Sequence, residues 1–85
     1  MSVRVQWAKR AQKALLRLDR TTQARILAAI DELAEGHRGD VRRFEGSKTE
    51  AFRLRVGGWR IIFSYLDDGT LLVLRIRPRG DVYKR

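Results

Sequence analysis

The sequence predicts one α+β domain over residues 1–85: an N-terminal strand, then an αα-hairpin packed on one face of a twisted antiparallel sheet. Three observations predict it. Apolar residues recur at helical spacing in the first half and at strand spacing in the second. Two dipeptides that suit hairpin turns, Gly57-Gly58 and Asp68-Gly69, punctuate the second half. A chain of 85 residues also has material for a single core only.

The elements follow in order. Val3, Val5 and Trp7 alternate with Arg4 and Gln6, which predicts a short first strand. From about Ala8 the period turns helical: Trp7, Ala11, Ala14/Leu15 and Leu18 form one stripe, while Lys9, Arg10, Lys13 and Arg17 face away. Asp19 to Thr22 supplies turn and cap chemistry. A second helix runs from about Thr22 to Glu35 with Ile26, Leu27, Ile30, Leu33 and Ala34 inward, and Gly36 stands where a left-handed C-cap is wanted. Gly36 to Glu50 reads as a long loop with one short strand near Val41 to Phe44. Three strands follow, Ala51 to Val56, Trp59 to Leu66 and Leu71 to Arg77, with Pro78 halting the ladder because it has no N–H to donate.

Two-residue loops at both turns set a register. Val56 then pairs with Trp59, Arg55 with Arg60 and Arg53 with Ile62; Ser64 falls opposite Val73, Ile62 opposite Arg75 and Arg60 opposite Arg77. One face carries Phe52, Leu54, Val56, Trp59, Ile61, Phe63, Tyr65, Leu72, Leu74 and Ile76, and must meet the helices. The other carries Arg53, Arg55, Arg60, Arg75 and Arg77, with Ile62, Ser64 and Val73 between them; an extended path through Pro78 adds Arg79. Like charges placed opposite one another disfavour pairing, so the cluster points to an anionic ligand rather than to solubility.

Composition agrees. Lys+Arg is 19 against Asp+Glu 10, a net charge of +9, and 15 of the 19 are arginine, the side chain whose planar fork matches phosphate. Cysteine is absent and His37 is the one histidine, which removes thiolate chemistry and leaves little for a metal site or a Ser-His-Asp arrangement. His37 itself reads as a solvated residue after the helix cap. No apolar run is long enough to cross a membrane, and the N-terminus has no secretory apolar region, so a cytoplasmic protein is expected. Tyr83, in the polar tail after Pro78, either stacks an unpaired RNA base beside the arginine face or packs back on the sheet edge.

Phe52-Arg53-Leu54-Arg55-Val56-Gly57-Gly58-Trp59-Arg60-Ile61-Ile62-Phe63, with Ile76-Arg77-Pro78-Arg79-Gly80-Asp81-Val82-Tyr83, resembles the RelE/ParE superfamily of bacterial toxins, and the order of elements resembles it too. The resemblance is to the RelE branch. It implies a metal-independent endoribonuclease without cofactor that cleaves mRNA in the ribosomal A site and is neutralised by a cognate antitoxin. It also implies catalytic roles for Arg53, Arg55, Arg60, Arg79 and Tyr83; Arg75 and Arg77, placed on the same face by the register, are read as RNA-binding residues. Family members often carry lysine at the positions of Arg53 and Arg55, and histidine or another residue at that of Pro78. The alternatives are a ParE-like inhibitor that binds DNA gyrase, and an RNA-binding module without catalysis.

Overall fold

The structure, a computed structural model, describes residues 3–36, 40–44 and 50–78. Its elements run β1 (Val5–Trp7), α1 (Lys9–Leu16), α2 (Arg20–Ala34), β2 (Asp40–Phe44), β3 (Ala51–Val56), β4 (Trp59–Tyr65) and β5 (Leu71–Pro78). The five strands form one sheet in the order β1-β5-β4-β3-β2. The four strands β2 to β5 are antiparallel, as expected. β1 adds to β5 in parallel, so the sheet is mixed. A parallel neighbour needs a long crossover, and the helical hairpin that opens this one is the layer covering the sheet.

Helix α2 begins two residues before the expected Thr22 because Asp19 is itself the cap: its carboxylate accepts from the Thr22 backbone N–H at 3.1 Å and from the Thr22 hydroxyl at 2.6 Å. Those bonds, the hydroxyl first, hold the Asp19 carboxyl below its ordinary pKa. The Gln23 side-chain amide donates to the Leu18 carbonyl at 2.8 Å and stitches the turn between the helices. Gly36 closes α2 at φ +91°, the left-handed conformation its position called for.

Ala11 and Leu15 from α1 and Ile26 and Ile30 from α2 pack on Leu54, Ile61, Phe63, Leu71 and Val73. Both tryptophans, Trp7 and Trp59, lie at the margin of this core. Ile26, Ile30 and Ala34 recur every four residues and define the inward stripe of α2; Leu27, expected on it, lies off that line and is exposed. Phe52, Phe63 and Tyr65 form an aromatic trio with centroids 5.6–6.0 Å apart, although Tyr65 at the sheet's end is about half exposed.

The β3–β4 register is the expected one in every pair. Its two-residue turn is of a primed kind that hairpins favour. Gly57 has φ +58° while Gly58 does not take a positive φ, the signature of a type II′ rather than a type I′ turn. The β4–β5 register is as expected only in its upper part, where Arg60 faces Arg77 and Ile62 faces Arg75. The loop below holds three residues, Asp67-Asp68-Gly69: the Leu66 N–H donates to the Thr70 carbonyl, the Gly69 N–H to the Leu66 carbonyl, and Gly69 sits at φ +91°. The Asp68 carboxylate accepts from the Thr70 N–H at 2.9 Å, which fixes the loop and lowers the carboxyl's pKa. With that loop Ser64 faces Leu72 and Phe63 faces Val73. A bulge after Ile62 then restores the expected pairs. Leu71 and Val73 are consequently core residues, whereas Leu72 and Leu74, expected in the core, lie on the opposite face.

Candidate nucleic-acid interface

The face of the sheet turned away from the helices is organised in two rows. Strand pairs Arg55–Arg60 and Arg60–Arg77 make one row, next to the Gly57-Gly58 turn. Two residues further along each strand, Arg42–Arg53, Arg53–Ile62 and Ile62–Arg75 make the second. Each strand contributes alternate residues, so every one of these side chains leaves the sheet on the same side. The five strand arginines expected together are together. Arg79 and Tyr83, like His37, lie outside the described residues.

Arg42 is the member that reading the sequence missed. The segment around Val41 was legible as a strand, but no short turn joins it to β3, and without a turn its register is free. A signal was present: Val41 packs toward the core, so alternation alone sends Arg42 outward. Its neighbour Arg43 goes to the helix side and pairs with Glu50 at 2.6 Å, in the open. The register also places Asp40 opposite Arg55, at the margin of the first row.

Ile62 occupies the centre of the arginine face and is only 4% exposed. Its flanking positions on that face are Arg53, Arg75, Arg60 and Ser64. Arginine stems are apolar and lie down over such a residue while their guanidinium groups reach outward, and Arg53 and Arg60 are correspondingly half-buried. Ile62 is thus a buried apolar residue in the middle of the charged face.

Beyond the second row the character of the face changes. Ser64, Tyr65, Leu66, Leu72 and Leu74 line a groove of about 760 Å³ whose rim carries the carboxylates Glu50, Asp67 and Asp68. At the opposite end, the Arg25 guanidinium of α2 lies over the Gly57 backbone, with its Nη2 about 3.5 Å from where a β-carbon would be. Among the described residues no group of three or more carboxylates and histidines could hold a metal ion, and no helix is long and apolar enough to cross a membrane. The arginine rows can bind phosphate oxygens through planar cationic forks and stabilise charge developing on them.

A family model described as the ParE toxin of type II toxin–antitoxin systems matches residues 5–83. The chain belongs to the RelE/ParE toxin superfamily. Solved structures agree on the toxin's fold. The archaeal RelE–RelB complex from Pyrococcus horikoshii contains a chain 31% identical to it at a TM-score of 0.78, with 94% of this chain and 98% of that one covered. The RelBE2 toxin–antitoxin complex of Mycobacterium tuberculosis gives 26% identity and a TM-score of 0.64, covering 93% and 100%. A double arginine-to-alanine mutant of the Escherichia coli toxin RelE in the free state shares the fold at 18% identity and a TM-score of 0.71, covering 95% of the toxin described here and 87% of that chain. Among curated proteins no sequence matches the toxin.

Proposed function

We propose that this toxin is a ribosome-dependent endoribonuclease of the RelE kind, acting in the cytoplasm on mRNA in the A site. The observation that carries the reading is the ladder Arg55–Arg60–Arg77, three guanidinium-bearing residues side by side across three strands. Like charges on facing positions disfavour strand pairing, and three planar cationic forks side by side match the oxygens of a phosphorane. The ribose 2′-oxygen attacks the adjacent phosphorus, the bond from phosphorus to the 5′-oxygen breaks, and the products are a 2′,3′-cyclic phosphate and a 5′-hydroxyl. The 2′-OH gives up its proton and the leaving 5′-oxygen takes one.

Arg60 and Arg79 are assigned to the scissile phosphate, Arg53 and Arg55 to orientation and charge, and Arg75 and Arg77 to RNA binding. Arginine is a poor proton carrier, because its guanidinium group stays protonated at any physiological pH. Tyr83 is therefore assigned to base stacking and to the acid/base work that arginine serves badly. The site is sparsely equipped for proton transfer, which suits a host that positions the substrate, since positioning alone supplies about 7–11 kcal/mol of a barrier. The neutralising partner is an antitoxin, a role supported by similarity to chains found in RelE–RelB complexes.

The test is cleavage of message on programmed ribosomes, with product ends mapped. Wild-type toxin leaves cyclic phosphate ends and Arg60→Ala leaves none; an Arg60→Ala variant with full activity removes the site assignment. A second reading has its own support in the matching family model, which is that of the ParE toxin. It makes the chain a gyrase inhibitor that acts by binding, and a supercoiling assay run beside the ribosome assay separates the two.

A further inference from the structure

The two arginine rows lie two residues apart along every strand, and a strand rises about 3.3–3.4 Å per residue. Their spacing of roughly 6.7 Å is therefore the reach of one nucleotide in an extended RNA strand. Across a row, neighbouring strands stand about 4.8 Å apart, close enough for two arginines to share one phosphate. The rows are not equivalent. The first has arginine on three adjacent strands, whereas Ile62 interrupts the second and leaves Arg42 and Arg53 on one side and Arg75 on the other. One step further along the strands the face offers Ser64, Leu72 and Leu74, and then the carboxylates Glu50, Asp67 and Asp68. A phosphate there would face the carboxylates of Asp67 and Asp68, with Glu50 already held by Arg43.

We infer that the face holds two consecutive RNA phosphates and no third. The row Arg55–Arg60–Arg77 takes one, and a second subsite built by Arg42 and Arg53, with Arg75 across Ile62, takes the phosphate one nucleotide away. The acid-rimmed groove ends the track. This rests on the endoribonuclease reading for the identity of the first phosphate, and it adds Arg42 as an RNA-binding residue. The message then runs along the strand direction, and one nucleotide bridges the two rows.

The experiment measures binding of a six-nucleotide oligouridylate by fluorescence anisotropy across a salt series. Each phosphate neutralised on single-stranded RNA contributes about −0.7 to the slope of log K against log salt. The Arg42→Ala, Arg53→Ala double variant is expected to bind five- to tenfold more weakly, with a slope shallower by about 0.7. Arg43→Ala, on the same strand but the other face, leaves both unchanged. Asp67→Lys with Asp68→Lys opens the track and steepens the slope by a similar amount. On ribosomes, Arg42→Ala raises KM several-fold with little loss of kcat, and Arg42→Lys recovers most of it. An unchanged slope in the double variant, or an equal loss from Arg43→Ala, overturns the two-phosphate site. Absence of cleavage with the salt slopes as expected overturns the nuclease reading alone.

Discussion

Arg60 stands directly opposite Arg77 across the β4–β5 ladder, and Arg55 stands opposite Arg60 on its other side. Like charges so placed weaken strand pairing by roughly 0.2–1 kcal/mol per pair. Arg60 belongs to both pairs, so it is the residue at which function and stability oppose each other most directly. Arg60→Met keeps the aliphatic stem and removes the charge. It is expected to raise Tm by roughly 2–16 °C at low salt, given about 4–8 °C per kcal/mol for a domain of this size. Added sulfate or phosphate should close the gap, since an anion bound between facing guanidinium groups offsets their repulsion. Thermal melts of the two proteins with and without sulfate check both parts.

Catalysis moves the other way. If Arg60 stabilises charge that develops in the transition state, its removal costs about 10²–10³ in kcat with little change in KM, as for other single donors to a reacting oxyanion. Single-turnover cleavage on programmed ribosomes measures this. Loss confined to KM would make Arg60 a binding residue only.

Ile62 is expected to be sensitive in two respects. Truncation to alanine removes a buried side chain and costs roughly 2–4 kcal/mol, while Ile62→Val costs about 0.5–1.5 kcal/mol. The functional effect should exceed the loss of folded protein, because the arginine stems then fall inward and their charged ends move together. Denaturant melts beside cleavage rates, measured where each variant is still folded, separate the two effects. Equal activity per folded molecule in the alanine and valine variants would reduce Ile62 to a packing residue.

The Gly57 turn yields a prediction about backbone alone. At φ +58° an L-residue pays for its β-carbon, while the nearest Arg25 atom would be in ordinary contact at 3.5 Å. Gly57→Ala is therefore expected to cost about 1–2 kcal/mol through conformation, and adding Arg25→Ala should not restore it. Gly58→Ala, with no positive φ and nothing within 4 Å of its β-carbon, should be nearly silent. Urea melts of the single and double variants decide the matter.

Asp19 sets a pH dependence. Its folded-state pKa lies below the ordinary carboxylate value, chiefly because the Thr22 hydroxyl and then the Thr22 N–H donate to it. The cap's charge-linked contribution is thus fully present above the ordinary carboxylate range and is lost as pH falls through the lowered folded-state value. Asp19→Asn keeps a good cap and drops the linkage. Wild-type stability should fall more steeply than that of Asp19→Asn between pH 5 and about pH 2, and the two should converge in acid; parallel curves would refute the linkage.

Most of the site was legible because a two-residue loop leaves a hairpin no freedom: once Gly57-Gly58 is a turn, Arg53, Arg55 and Arg60 must share a face. The lower end of β5 was illegible for the opposite reason. Leu71, Leu72, Val73 and Leu74 are four apolar residues in succession, so alternation cannot say which pair is inside. Loop length decides, and Asp67-Asp68-Gly69 holds one residue more than the dipeptide signal suggested. The bulge then realigns the arginines, so the expected charged face survived an error beneath it. Arg42 escaped because β2 reaches β3 through a longer connection than a tight turn. Leu27 was misplaced because a helical stripe read from sequence has soft edges.

The parallel pairing of β1 with β5 joins segments separated by nearly the whole described length of the chain, with Val5 beside Leu71 and Trp7 beside Val73. During synthesis the first strand must wait, unpartnered, until the last has been translated, and the ladder that completes the arginine face needs that same last strand. The arginine face is therefore complete only after the fifth strand has been synthesised, and no shorter nascent segment presents it.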